Sequence, residues 1–208
     1  MTTKVEIGKE VGRGWELFKA NMGLLIITNI LMGLLCFCTC YILAGPMLAG
    51  QILIIQRLLK KDPTVPVVGD VFKGFDYFLN AFLCVLVMAV ILALFVVVPV
   101  VNAVASMVLS SLSLIAIMFV AFGKLSFSDA MKKVMSEIKT GPFWMLILTF
   151  VVALLIGSLG IFVFGIGALF TMPLFTCICV CAYHTAYEGA TDEPPPLIDP
   201  LPPAEPAS

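Results

Sequence analysis

The sequence predicts an all-α fold, a polytopic transmembrane helical bundle of six spans paired as three hairpins, each preceded by an amphipathic interfacial helix. Three observations predict it. Only 12% of the 208 residues are charged, and mean hydropathy is +1.12, whereas a soluble domain carries about 25% charged residues. The charges are confined to blocks, leaving uncharged tracts of 37 residues (20–56), 47 residues (77–123) and 48 residues (140–187). Each tract also has a turn signal near its middle: Gly45-Pro46, then Pro99 followed by Asn102, then Gly165 and Gly167.

A helix needs about 20 apolar residues to cross a hydrocarbon core about 30 Å thick, so each tract is long enough for two spans, the first only barely. That first tract could instead be a re-entrant pair that fails to cross. The expected spans are residues 22–42, 44–59, 79–98, 100–122, 143–164 and 168–187. All twelve Lys and Arg fall in three blocks, Lys4 to Lys19, Arg57 to Lys73 and Lys124 to Lys139. Short loops rich in Lys and Arg stay on the cytoplasmic side, which predicts a cell (inner) membrane protein with N- and C-termini cytoplasmic. No cleavable signal peptide or lipidation signal is expected, since the first apolar run follows a long charged segment.

The basic blocks read as helices lying in the membrane interface. Ile7, Val11, Trp15 and Phe18 recur at helical spacing, as do Val68, Val71, Phe72, Phe75, Phe78 and Leu79, and then Phe127, Met131, Val134, Met135 and Ile138. Polar residues such as Glu6, Lys9, Arg13 and Glu16 fill the opposite face. An aromatic-rich amphipathic helix just before a span lies in the interface plane, with Trp15, Phe18, Phe72 and Phe75 as its anchors. Ser128 and Gly69-Asp70 are the expected helix starts.

Residues 1–187 thus form a single transmembrane domain of three units, 1–62, 63–123 and 124–187, with GWELFKANMGLLI (14–26) echoed by GFDYFLNAFLCVL (74–86). The remaining 188–208 segment has seven prolines and five acidic residues among 21. It is expected to be a disordered, acidic, Pro-rich cytoplasmic tail.

Two Cys-x-Cys-x-Cys triplets, at Cys36, Cys38, Cys40 and at Cys177, Cys179, Cys181, raise the question of a metal site. At 100° per residue the outer pair of each triplet shares a helix face and the middle thiol points away. Neither triplet is therefore a three-thiol site, and the expected role is packing; no metal and no cofactor is assigned. A polar stripe, Asn102, Ser106, Ser110 and Ser113, lies along the fourth span as a possible polar path or a helix interface. Thr28, Asn29 and Gln51 could add to a small polar interior. His184, between Tyr183 and Tyr187, is expected in the interfacial aromatic belt. No Asp, Glu, Lys or Arg lies inside the six expected spans, although proton-coupled transporters and ion pumps usually depend on such groups. Nor is there a phosphate-binding glycine loop or a catalytic triad pattern.

GPMLAGQILIIQRLLKKDPTVPVVGDVFKGFDYF (45–78) carries a Gly-Pro-x-x-x-Gly turn, a helix ending at Arg57 and the stretch VFKGF. Gly45, Pro46, Ala49 and Gly50 suit close helix packing, with Pro46 in the first turn, where its missing N–H costs nothing. The stretch resembles bacterial integral-membrane families of unknown function, including those similar to the membrane domain of some glycerophosphoryl diester phosphodiesterases. The resemblance implies a helical membrane bundle over most of 1–187 and no catalytic residues.

The functional expectation is a multi-pass membrane module without a catalytic site, organising lipid or an assembly. Membrane lipids and a protein partner or second copy are the partners, and nucleic acid is not. The alternative is a small transporter or channel for an uncharged or weakly polar solute.

Overall fold

A computed structural model describes residues 6–60, 63–94, 99–139, 141–162 and 167–187. The turn at Gly165, Lys4, Lys61 and the 188–208 tail lie outside these. The described residues form eight α-helices and one 3₁₀ helix and contain no strand. In order they are α1 (Ile7–Ala20), α2 (Met22–Cys38), α3 (Ala44–Leu59), the 3₁₀ helix (Val68–Tyr77), α4 (Phe78–Leu94), α5 (Pro99–Gly123), α6 (Phe127–Glu137), α7 (Gly141–Phe162) and α8 (Ala168–Tyr187). An amphipathic helix followed by two apolar ones therefore recurs three times along the chain.

Each expected span is helical over most of its described residues, but six crossings are not what those residues provide. Among the described residues three continuous stretches are long and apolar enough to cross a membrane: Val68–Ala93, Ala105–Gly123 and Leu169–Tyr187. The number rises to 4 if the bent pair α1 and α2 makes one span. Two physical reasons account for the shortfall. α2 stops at Cys38 and α3 has only 16 residues, about 24 Å at about 1.5 Å per residue. α3 also packs broadly along the 3₁₀ helix and shares little surface with α2, so the first tract is not a hairpin of two helices lying side by side.

α1 meets α2 at 89°, with Asn21 between them. α7 and α8 form a closely packed antiparallel pair, tied where Thr171 Oγ1 donates to the Gly157 carbonyl at 2.7 Å. α4 and α5 also pair, but α4 is mostly uncovered, whereas the second half of α5 and the C-terminal half of α8 are buried. The core thus gathers around those two segments, closed in by α1, α3, α6 and the start of α7.

α6 begins at Ser126, two residues before the expected Ser128. The Ser126 hydroxyl accepts from the Asp129 amide at 3.3 Å and donates to the Asp129 carboxylate at 2.8 Å. This reciprocal cap satisfies an amide that a helix start leaves open.

Candidate functional site

The segment read as the second interfacial helix has a period of three, not 3.6. In a 3₁₀ helix residues i and i+3 eclipse, which sorts VGDVFKGFDY into three rows. Val71 and Gly74 are buried against α3. Phe72, Phe75 and Phe78 form a ladder with ring centroids 6.0 and 5.9 Å apart. Asp70, Lys73 and Asp76 make a charged row. Two neighbouring motifs interlock here. A methyl group at Gly50 would overlap the Val71 carbonyl, one at Gly74 would overlap the Pro46 carbonyl and the Gly50 amide, and one at Gly45 would overlap the Ala81 carbonyl. Ala49 is fully buried beside them. The four small residues picked from the sequence thus sit together in one seam, where backbone meets backbone.

The seam ends in an ion pair. Arg57 Nη1 donates to Asp70 Oδ2 at 2.9 Å, Lys73 Nζ approaches Asp70 Oδ1 at 2.7 Å, and the Val67 amide donates to Asp70 Oδ2 at 3.1 Å. These contacts hold the Asp70 carboxyl below its ordinary pKa, chiefly through the Lys73 hydrogen bond, with burial opposing.

A second tie joins the two ends of the chain. Glu10 is only 2% exposed, and its Oε1 accepts from Thr185 Oγ1 at 2.9 Å. Arg13 Nη1 donates to the same hydroxyl at 2.8 Å and to Glu10 Oε2 at 3.4 Å. Gly14 allows this approach, since a Cβ there would stand 2.7 Å from the Ile178 Cα. The face that α1 turns to the bundle is therefore Glu10, Gly14 and Leu17. Glu10 was not singled out from the sequence, because a lone carboxylate in an amphipathic helix reads as solvated.

Of the four expected anchors, Trp15 and Phe72 stand outward, each 46% exposed, while Phe18 is buried and Phe75 half-buried. The aromatic residues near His184 are turned inward rather than into a belt. Tyr183 packs edge-on against Phe119 and Phe122, and His184 lies on Phe122 with centroids 5.9 Å apart. The cause is that α1 packs along α8 and the rings of α5 meet its end; Lys133 of α6 in turn sits 4.9 Å over the Phe119 ring.

The polar stripe does not share one environment. Ser113 is buried and Ser110 exposed, with Asn102 and Ser106 between these extremes. Ser110 Oγ donates to the Ser106 carbonyl. Ser111, which the spacing argument passed over, is buried and donates to the Met107 carbonyl at 2.8 Å. Thr28 likewise donates to the Leu24 carbonyl at 2.8 Å, and Asn29 and Gln51 are buried. The Asn102 and Gln51 amides each keep one atom without a partner among the described residues, Oδ1 and Nε2.

Cys36 and Cys40 do not share a helix face. α2 ends at Cys38, Cys40 and Tyr41 take φ of 49° and 65°, and Cys36 is buried while Cys38 and Cys40 are exposed. In α8 all three thiols are buried because neighbours surround that helix on every side. The described residues contain no group of three or more His, Cys, Asp or Glu side chains able to hold a metal ion. An open, largely apolar groove of about 770 Å³ runs between α2 and the starts of α3 and α8, lined by Asn29, Cys36, Phe37, Leu48, Leu169 and Met172 among others.

No known protein family, no curated protein and no solved structure matches the chain.

Proposed function

We propose that this chain is a multi-pass protein of the cell (inner) membrane with no catalytic site of its own, organising lipid at one face through its surface helices. The observation that carries the reading is the placing of three of its outward aromatics, both tryptophans among them. Trp15, Phe72 and Trp144 are 46%, 46% and 58% exposed, and each lies within five residues of an exposed lysine, Lys19, Lys73 or Lys139. Large rings beside ammonium groups suit the headgroup layer. By contrast, the hydroxyls of Thr28, Ser110 and Ser111 donate to carbonyls of their own helices.

The crossing set in this reading is α4 with α5 and α7 with α8. Here α7, a helix of 22 residues, takes the place of the bent pair α1 and α2, and the six expected spans narrow to four. Both counts are even, so both ends stay on the side of the basic blocks, which the positive-inside rule puts in the cytoplasm. The serine hydroxyls, bonded to carbonyls of their own helix, favour an organising role over a solute path.

The chain contains two tryptophans, and both belong to the outward set. In vesicles with brominated phospholipids, fluorescence should be quenched more by bromine near the headgroup than by bromine near the bilayer centre. Deeper quenching, or uptake of a small neutral solute by vesicles carrying the protein, would count against the reading.

A further inference from the structure

We infer that α2 and the turn 39–43 lie within a single leaflet, entering and leaving on the same side, so that the acyl chains of that leaflet cover their exposed face. The inference rests on the membrane reading above and adds to it a monotopic surface next to the crossing helices.

The far end of the tract comes first. The contacts Arg57 with Asp70, Gly50 with Val71, Gly74 with Pro46 and Gly45 with Ala81 run in opposite senses along the two segments. α3 therefore lies antiparallel to the 3₁₀ helix and the first turn of α4 over its whole length. The two must share a depth. Lys73 has a side chain 54% exposed and Asp76 is exposed, and an exposed charge at the bilayer centre costs about 2.5–3.5 kcal/mol even on the lenient scales. The pair therefore sits at the membrane surface. Ala81 also adjoins Asn80, whose Oδ1 accepts from the Phe127 amide at 3.0 Å. That places Gly45 beside the start of α6, where Asp129 and Lys132 are exposed.

The near end is on the same side. Glu16 and Lys19 are exposed in the turn before Met22. With both ends of the 20–56 tract held next to exposed charge, and α3 occupied by the 3₁₀ helix, α2 does not pair with α3 as half of a crossing hairpin.

What lies between is built for lipid. Ile27, Ile30, Leu34 and Phe37 form one outward stripe, 47% to 77% exposed, while Leu25, Thr28, Asn29 and Cys36 face inward. Non-helical backbone is costly in hydrocarbon because no water satisfies it. This turn satisfies the amides of residues 39–42: the Tyr41 amide donates to the Cys36 carbonyl at 2.7 Å and the Cys40 amide to the Phe37 carbonyl at 3.3 Å. That is the Schellman closure of a helix end, with Cys40 in the left-handed position. Thr39 and Ile42 amides are bonded as well, to the carbonyls of Leu35 and Thr39.

The test uses the native thiols, because Cys38 and Cys40 are exposed and the other five are buried. Sealed membranes in both orientations are treated with a membrane-impermeant maleimide, and modified peptides are mapped. A Gly167→Cys variant marks the face reached by the α7–α8 turn. From the face that modifies residue 167, Cys38 and Cys40 should react at least on the order of tenfold more slowly, a thiol needing water to react as thiolate, and detergent should restore their reaction. Modification of Cys40 from that face as fast as residue 167 would overturn the inference. If residue 167 is instead reached only from the cytoplasmic face, the proposed orientation fails, and Cys40 is judged against residue 167 in the same way.

Discussion

At Gly50 and Gly74 the nearest atoms to a missing Cβ are backbone atoms, which cannot rotate aside as a side chain can. Gly50→Ala or Gly74→Ala must therefore push α3 and the 3₁₀ helix apart, a loss of about 1–3 kcal/mol by the usual cost of overpacking. Thermal unfolding in detergent should show it, while Gly12→Ala, with nothing within 4 Å of its Cβ, should cost little or stabilise α1. The opposite sign is expected at Cys40, a non-glycine residue in the left-handed region. Cys40→Gly removes a conformational penalty of about 1–2 kcal/mol, less what glycine adds to the freedom of the unfolded chain. It should raise the same midpoint slightly. The sequence announced the first site and hid the second. Gly45, Gly50 and Gly74 are visible as small residues, but nothing in CFCTCYIL reads as a helix end, because the residue at C′ is a cysteine where glycine is usual.

At the scale of elements, two polar ties set the arrangement. In the first, Asp70 joins the end of α3 to the 3₁₀ helix. A carboxyl whose folded pKa is lowered contributes stability fully above its ordinary value, about 3.9, and loses it as pH falls through the lowered folded value. The tie should therefore be intact from neutral pH down to about pH 4. Asp70→Asn should lower stability by about 1.5–3 kcal/mol at neutral pH, the range for hydrogen bonds to charged groups, and the gap to the parent should close in stronger acid. In the second, Thr185→Val leaves one oxygen of buried Glu10 without its donor, at a cost of about 1–3 kcal/mol. Hydrogen exchange should accelerate in α1 more than in α7, since the hydroxyl bridges α1 to α8. Most elements were legible in advance because lipid-facing helices are long and uncharged. The 3₁₀ helix was not, since VGDVFKGFDY fits a period of 3.6 almost as well as three, and only the close seam with α3 decides between them. Glu10 escaped for the related reason that burial on a surface helix depends on which partner covers it.

At the scale of the whole molecule, the proposed sidedness follows from the charge pattern and does not depend on the number of crossings. Removing the pair α2 and α3 from a six-span count leaves four, and both ends remain on one side. A fluorescent protein fused after Ser208 should thus mature and fluoresce in the cytoplasm under either count, testing orientation alone. Points between the tracts test the sidedness of each block under either count. The count itself is decided within the first tract, at Cys40, which reacts from the far face only if α2 and α3 both cross. Lys60 and Lys139 follow α3 and α6 and lie in basic blocks. Lys60→Cys and Lys139→Cys in a cysteine-free background should both react with an impermeant maleimide from the cytoplasmic face, while Gly167→Cys should react from the opposite one. Reversing the positive-inside bias would sharpen the test: replacing Lys124, Lys132, Lys133 and Lys139 with glutamine removes four of the twelve cations, each worth about 1 kcal/mol near an anionic surface. If the basic blocks set the topology, the α7–α8 turn should then label partly from both faces. Unchanged one-sided labelling would mean that packing of α8 against α1 and α5 fixes the orientation instead.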